Sequence, residues 1–161
     1  MPDLTSLAAS LGALLKEKQQ TVAVAESASG GLISAALVAV PGASAYYLGG
    51  GVIYTQAARK GLLHMPDLPE GMRASTEPYA LLKARLVREH LGATWGLSET
   101  GASGPTGNRY GDAAGHACIA VVGPVERSIT LEIGSADREA NMWTFAKAAL
   151  DLLEACIKEH G

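Results

Sequence analysis

The sequence predicts a layered α/β/α single domain with a mixed sheet, and three observations carry that prediction. Apolar runs rich in β-branched residues alternate with segments whose apolar residues recur at helical spacing. The strand candidate Thr21-Val22-Ala23-Val24 passes through a hydroxyl- and glycine-rich loop straight into a helix candidate that starts near Gly31. Residues 115–122 and 126–133 read as two strands joined by a Gly123-Pro124 turn, a hairpin among alternating units. Alternating units build parallel pairs and a hairpin builds an antiparallel one, so the sheet is mixed.

Each element has its own signal. Leu4, Leu7, Leu11 and Leu14 share a helical face, Asp3 is placed to cap it, and the helix ends near Lys18. The strand at 21–25 and the helix from Gly31 are followed by a forced turn at Val40-Pro41-Gly42. Tyr46-Tyr47-Leu48 and Gly51-Val52-Ile53-Tyr54 read as one strand interrupted by glycines, the mark of a bulge or a close backbone approach. A short helix spans Ala57 to Leu63, and a Pro/Gly-rich loop runs from Met65 to Arg73. Ser75 or Thr76 caps the next helix, whose Ala80, Ala84, Val87 and Leu91 fall on one face and Tyr79, Leu82 and Leu86 on the adjacent one. Ala93 to Leu97 is a short strand, followed by the glycine loop Thr100 to Gly107. The last helix carries Met142, Phe145, Ala149, Leu152 and Cys156 at helical spacing, with Ser135 or Asp137 at its start.

Composition narrows the function classes. With 161 residues, 48% hydrophobic and 18% charged, residues 1–161 are expected to form one domain with a proper core. A formal charge of -3 with no Lys/Arg cluster argues against nucleic acid as the main partner. No apolar run has the length of a membrane span and Met1-Pro2-Asp3 does not begin a signal peptide, so no membrane partner and a cytoplasmic location are expected. Cys118 and Cys156 lack metal or redox spacing and read as small buried residues in a reducing compartment. The histidines at 64, 90, 116 and 160 show no ligand pattern, so no metal is expected.

Chemistry concentrates at two loops. Ala25-Glu26-Ser27-Ala28-Ser29-Gly30-Gly31 sets hydroxyls and free backbone N–H groups at a helix N-terminus, which favours phosphate or a developing oxyanion. The loop Thr100-Gly101-Ala102-Ser103-Gly104-Pro105-Thr106-Gly107 lets backbone approach a ligand. It is not a Walker loop, because no Gly-Lys-Ser/Thr follows, nor a dinucleotide fingerprint, because no helix opens after it.

Taken in order, these motifs resemble one family: the C-terminal domain of the competence/damage-inducible protein CinA, including its stand-alone nicotinamide mononucleotide amidohydrolases. The resemblance runs from Leu7 to Leu153. The signature Ala-Glu-Ser-x-Thr-Gly-Gly appears as Ala25 to Gly31 with Ser29 for the threonine, and the Gly-x-Ser turn as Pro41-Gly42-Ala43-Ser44. The Gly-x-Val-x-Tyr strand is Gly50 to Tyr54, the Thr-Gly-x-x-Gly-Pro loop is Thr100 to Pro105, and a late Gly-Asp-Arg appears as Ala136-Asp137-Arg138.

The resemblance implies hydrolysis of the carboxamide of nicotinamide mononucleotide to nicotinate mononucleotide and ammonia, without a cofactor, by a homodimer or higher homo-oligomer. Carried over by position, Ser27 is the nucleophile or lies nearest to it. Ser44, Tyr54 and Thr100 supply hydroxyls that orient the amide or relay protons, and Arg138 is a cation for the phosphate or for ordering the site. Glu26, Ser29, Gly30, Gly31, Gly101 and Gly104 complete the binding loops. Serine needs an adjacent base and the amide needs oxyanion stabilisation, which loop N–H groups can provide.

The family's base is a lysine five residues after the strand tyrosine, and here that position holds Arg59, with Lys60 one residue later. A guanidinium does not give up its proton near neutrality, and one residue along a helix turns a side chain by about 100°. His116 stands where the family has threonine, as a substitute base or as a structural histidine on a half-buried strand. Glu99 either anchors Arg59 or Arg138 or is a surface carboxylate, and Glu26 either caps the loop backbone or orients the site. Ser44 has a plain reading as a turn hydroxyl and Tyr54 as a strand aromatic. Two functions follow: a serine amidohydrolase, or a non-catalytic pyridine-nucleotide-binding relative in which Arg59 has replaced the base.

Overall fold

In the computed structural model the described residues are 3–160; Met1, Pro2 and Gly161 lie outside them, and with Met1-Pro2 part of the leader expectation. The helices are α1 (Leu4–Lys18), α2 (Leu32–Ala39), α3 (Gln56–Gly61), α4 (Glu77–Leu91) and α5 (Arg138–His160). The strands are β1 (Val22–Glu26), β2 (Tyr47–Val52), β3 (Trp95–Ala102), β4 (His116–Val122) and β5 (Arg127–Glu132). They form one five-stranded sheet in the order β2-β1-β3-β4-β5. β1 pairs parallel with β2 and β3, whereas β3–β4 and β4–β5 are antiparallel. The mixed, layered architecture is therefore observed.

The chain's own side chains set the element ends. Asp3 accepts the Thr5 N–H at 3.0 Å to start α1, and Thr76 Oγ1 accepts the Tyr79 N–H at 3.4 Å to start α4. Asp137 accepts the Ala140 N–H at 3.2 Å at the head of α5. Caps of this kind each contribute about 1 kcal/mol. α1, α2 and α5 cover one face, where Leu11, Leu15, Ile33, Leu37 and Leu153 meet Val22, Val24, Leu97 and Ile119. On the other face α4 sets Tyr79 and Val87 against Ala23 and Ala25, and Ala80 and Ala84 against Cys118 and Ala120.

One local reading holds and one changes. The glycine interruption in β2 is real: Val22 pairs with Tyr47 but Ala23 with Gly49, so Leu48 is an extra residue. A Cβ on Gly50 would lie 2.2 Å from the Val24 carbonyl oxygen, so the glycine admits the neighbouring strand. The strand expected at 93–97 instead continues to Ala102, and Thr100 and Gly101 belong to it rather than to a loop. Gly101 pairs with Ala117, and a Cβ there would lie 2.4 Å from the His116 carbonyl oxygen, so its bareness admits β4.

Candidate active site

The site is built where β1 and β3 end side by side. Alternation along a strand sends successive side chains to opposite faces. Glu26 therefore follows Val22 and Val24 toward α2, and Glu99 follows Trp95 and Leu97 to the same face. Both carboxylates are fully buried.

Glu26 accepts the N–H groups of Gly31 and Ile33 on Oε1, at 3.0 and 3.1 Å, and that of Ser34 on Oε2, at 2.7 Å. The expected anion site at the head of α2 is thus filled by the chain's own carboxylate, which matches the helix dipole and the unpaired N–H groups there. Glu99 Oε1 accepts the N–H groups of Ser27 and Ser29, each at 2.9 Å. The Ser29 hydroxyl lies 2.7 Å from Glu26 Oε1 and 2.7 Å from Glu99 Oε1. Ser29 is fully buried and its hydroxyl faces these carboxylates, so its place in the binding loop is to shape the backbone. Glu99 neither anchors an arginine nor lies at the surface: it fixes the backbone of the serine loop. Its Oε2 is buried without a hydrogen-bond partner.

Ser27 is half-buried at the carboxyl end of β1. The Ile53 N–H donates to the Glu26 carbonyl oxygen at 2.7 Å, so β2 delivers Tyr54 next to the serine loop. Arg138, the first residue of α5, donates to Tyr54 Oη at 3.1 Å and to the Gly104 carbonyl oxygen. Tyr54, Arg138 and Gly104 are thereby brought together. Gly104 has φ 109 and lies against the Ala136 carbonyl, a conformation and a contact that favour glycine. Gly30 and Gly31, with φ 65 and 103, turn the chain into α2.

Tyr54 also opens onto a cavity of about 660 Å³ that Arg59, Lys60, Arg73, Arg109 and Tyr110 help to line. Arg73 pairs with Asp112 through two hydrogen bonds, at 2.8 and 3.2 Å, and this ion pair lowers the Asp112 pKa. Tyr110 sits within cation–π distance of Arg73 and Arg109, 4.8 and 5.0 Å from ring centre to guanidinium carbon. Lys60 is exposed, 3.8 Å from Asp67 at the cavity rim. Among the described residues neither Arg59 nor Arg109 pairs with a carboxylate. Arg59 instead lies over the Tyr79 ring at 5.0 Å. The cavity therefore carries unneutralised positive charge and aromatic surface, a setting for an anion with a planar group.

Three further expected site residues lie outside the serine loop. Ser44 is exposed in a short 3-10 turn, Ala43–Ala45, before β2. Because β2 runs parallel to β1, that turn lies at the opposite end of the strands from Ser27. Thr100 is buried on the face covered by α4, and its Oγ1 accepts the Ser75 N–H at 3.2 Å. His116 is buried with both ring nitrogens occupied: Nδ1 is 2.5 Å from Glu132 Oε1, and Nε2 is 2.8 Å from the Ser75 carbonyl oxygen. Burial opposes its charge, but the Ser75 carbonyl, Glu132 and Asp112 outweigh it and raise the pKa. It is a tether for the Ser75 segment, where φ is 61, and not a free base.

Sequence reasoning passed over Lys83. Its side chain is fully buried on α4, and Nζ donates to the Glu99 carbonyl oxygen at 2.9 Å. The spacing Ala80–Lys83–Ala84–Val87 places it on the buried helical face, and that was the available signal.

Among the described residues no group of three or more His, Cys, Asp or Glu side chains is arranged to hold a metal ion, and no helix is long and apolar enough to cross a membrane. The family model described as "CinA C-terminal domain" matches residues 4–157. A CinA-like protein of Salinibacter ruber is 39% identical over 147 residues, covering 91% of this chain and 36% of its own length. One from Gloeobacter violaceus is 38% identical over 158 residues, covering 94% and 36%. The chain thus spans about a third of the length of these relatives. A solved CinA superfamily protein from Escherichia coli superposes with TM-score 0.86 at 26% identity, covering 95% of this chain and 90% of that one. One from Klebsiella pneumoniae, at 21% identity, shares the fold with TM-score 0.89 over 98% and 99%. Matched along nearly its whole length by the family model, the chain belongs to the CinA C-terminal domain family.

Proposed function

We propose that this domain is a serine amidohydrolase acting on a pyridine ribonucleotide, converting nicotinamide mononucleotide to nicotinate mononucleotide and ammonia. The observation that carries this reading is the pairing of a clamped serine with a cationic cavity. Glu99 holds the Ser27 N–H at 2.9 Å, and Tyr54, beside that loop, also lines the cavity that contains Arg59, Arg73 and Arg109.

In this reading Ser27 Oγ attacks the carboxamide carbon. The tetrahedral intermediate collapses with cleavage of the C–N bond, ammonia leaves with the transferred proton, and water hydrolyses the acyl-serine to the carboxylate. The phosphate takes the guanidiniums of Arg59 and Arg109, and the pyridine ring takes the aromatic wall. Tyr54, held by Arg138, is the hydroxyl set to meet the developing oxyanion, since Glu26 and Glu99 already occupy many of the loop N–H groups.

A second reading has one specific observation in its favour. Arg59 stands at the family's lysine position and stacks on Tyr79, so the pocket can serve a nucleotide-binding relative without turnover. Ammonia release with nicotinamide mononucleotide, paired with calorimetric binding, separates the two. Turnover supports the amidohydrolase; binding without turnover, converted to turnover by Arg59→Lys, supports the relative.

A further inference from the structure

We propose that Lys83, carried on α4, is the base that accepts the Ser27 proton in this chain, filling the role that Arg59 at the family's lysine position leaves open. This rests on the amidohydrolase reading. Three geometric observations lead to it.

The first is that Lys83 and Arg59 converge on one aromatic ring. Lys83 Nζ lies 5.3 Å from the Tyr79 ring centre and the Arg59 guanidinium carbon 5.0 Å from it. An amine is thus supplied from α4 to the neighbourhood that the α3 side chain enters.

The second is that one residue holds both partners. Glu99 receives the Ser27 N–H on its side chain and Lys83 Nζ on its main-chain oxygen, each at 2.9 Å. β1 also sends Ala23 and Ala25 toward α4, and Ser27 is the first residue beyond the end of that strand. Glu99 is then a positioning residue for nucleophile and base together.

The third is that Lys83 has no ion-pair partner. Among the described residues no carboxylate lies within 4 Å of its ammonium. The hydrogen bonds of Glu26 and Glu99 go to the loop around Ser29. A fully buried lysine without an ion-pair partner is poorly suited to hold charge.

The electrostatics agree with this geometry. Burial lowers the Lys83 pKa to about 8; Glu99 on β3 and Glu26 on β1 oppose that shift, while Arg59 on α3 adds to it. Roughly a tenth of the amine is then neutral at pH 7 and most of it above pH 8. As the Ser27 Oγ–carbon bond forms, the Oγ proton moves to neutral Nζ and the carbonyl electron pair goes to the oxyanion. The ammonium then gives that proton to the amide nitrogen as the C–N bond breaks and ammonia leaves. A water repeats the cycle on the ester.

The test is the pH profile of ammonia release from nicotinamide mononucleotide for wild type, Lys83→Met, Lys83→Arg and Arg59→Gln, with calorimetric binding of the same nucleotide. Wild type is expected to show a rising limb near pH 8. Lys83→Met and Lys83→Arg should each lose roughly 10²- to 10⁴-fold in kcat while still binding the nucleotide. Arg59→Gln removes a like charge and should move the rising limb to higher pH, which a structural lysine would not do. Lys83 variants within a few-fold of wild type, or an unmoved limb in Arg59→Gln, overturn the proposal and leave the amidohydrolase reading standing. Should the Lys83 variants fail to fold, the Arg59→Gln limb decides alone. Wild type that binds without turnover, with Ser27→Ala indistinguishable from it, overturns the reading and the base role with it.

Discussion

Glu99 Oε1 accepts the backbone N–H of Ser27 at 2.9 Å, so the residue proposed as nucleophile is held in place by a fully buried carboxylate from the adjacent strand. The same oxygen takes the Ser29 N–H and faces the Ser29 hydroxyl, while Glu26 takes the head of α2. The loop is shaped by two internal anions that replace the external one its sequence suggests.

Removing one anion has a defined cost. Glu99→Ala leaves the N–H groups of Ser27 and Ser29 without their acceptor and should destabilise the domain by about 2–4 kcal/mol. Urea unfolding measures this, and a midpoint unchanged from wild type contradicts the clamp. Glu99→Gln keeps an oxygen acceptor and should lose less stability while lowering turnover.

The cationic cavity makes a phosphate-specific prediction. Arg59→Ala and Arg109→Ala should each weaken nicotinamide mononucleotide binding by roughly tenfold, with little effect on the phosphate-free riboside. Calorimetry with both ligands checks this; equal losses for the two would remove the phosphate contact.

His116 gives a stability trend with pH. Its folded pKa is raised, so the stabilisation from its tether to Ser75 and Glu132 is fully present below the unfolded value near 6.5. It is lost as pH rises through the folded pKa. Denaturant midpoints should therefore fall over that range in wild type, and His116→Gln should flatten the fall. A parallel curve in the variant would show that the tether contributes nothing.

Lys83 gives the opposite trend at higher pH. Its folded pKa of about 8 lies below the ordinary 10.5, so the unfolded chain binds more protons between those values. Its contribution to stability should rise as pH climbs from about 8 toward 10.5. In Lys83→Met that rise should vanish, as unfolding curves across the range would reveal.

Much of the fold was legible because periodicity reports burial directly. The Leu4-Leu7-Leu11-Leu14 stripe, the 21–25 run and the hairpin around Gly123-Pro124 each became the expected element. β3 was cut short because Thr100-Gly101 reads as turn chemistry, although Gly101 is required by the closeness of β4. The site was less legible. Ser27, Tyr54 and Arg138 were singled out by motif, but Glu99 and Lys83 carry charges that composition assigns to the surface. Only the alternation Trp95–Leu97–Glu99 and the spacing Ala80–Lys83–Ala84 point inward. Ser44 in its turn and His116 with its ring nitrogens bonded were open alternatives for a different reason: a motif position says nothing about which end of a sheet it occupies, or whether a ring nitrogen is already bonded.

The central claim is tested most directly by ammonia release from nicotinamide mononucleotide by wild type and Ser27→Ala, measured alongside calorimetric binding. The account predicts turnover in wild type that falls to background in Ser27→Ala with binding retained within a few-fold. Equal turnover in both proteins, or tight binding with none in either, would contradict serine amidohydrolase chemistry at this site.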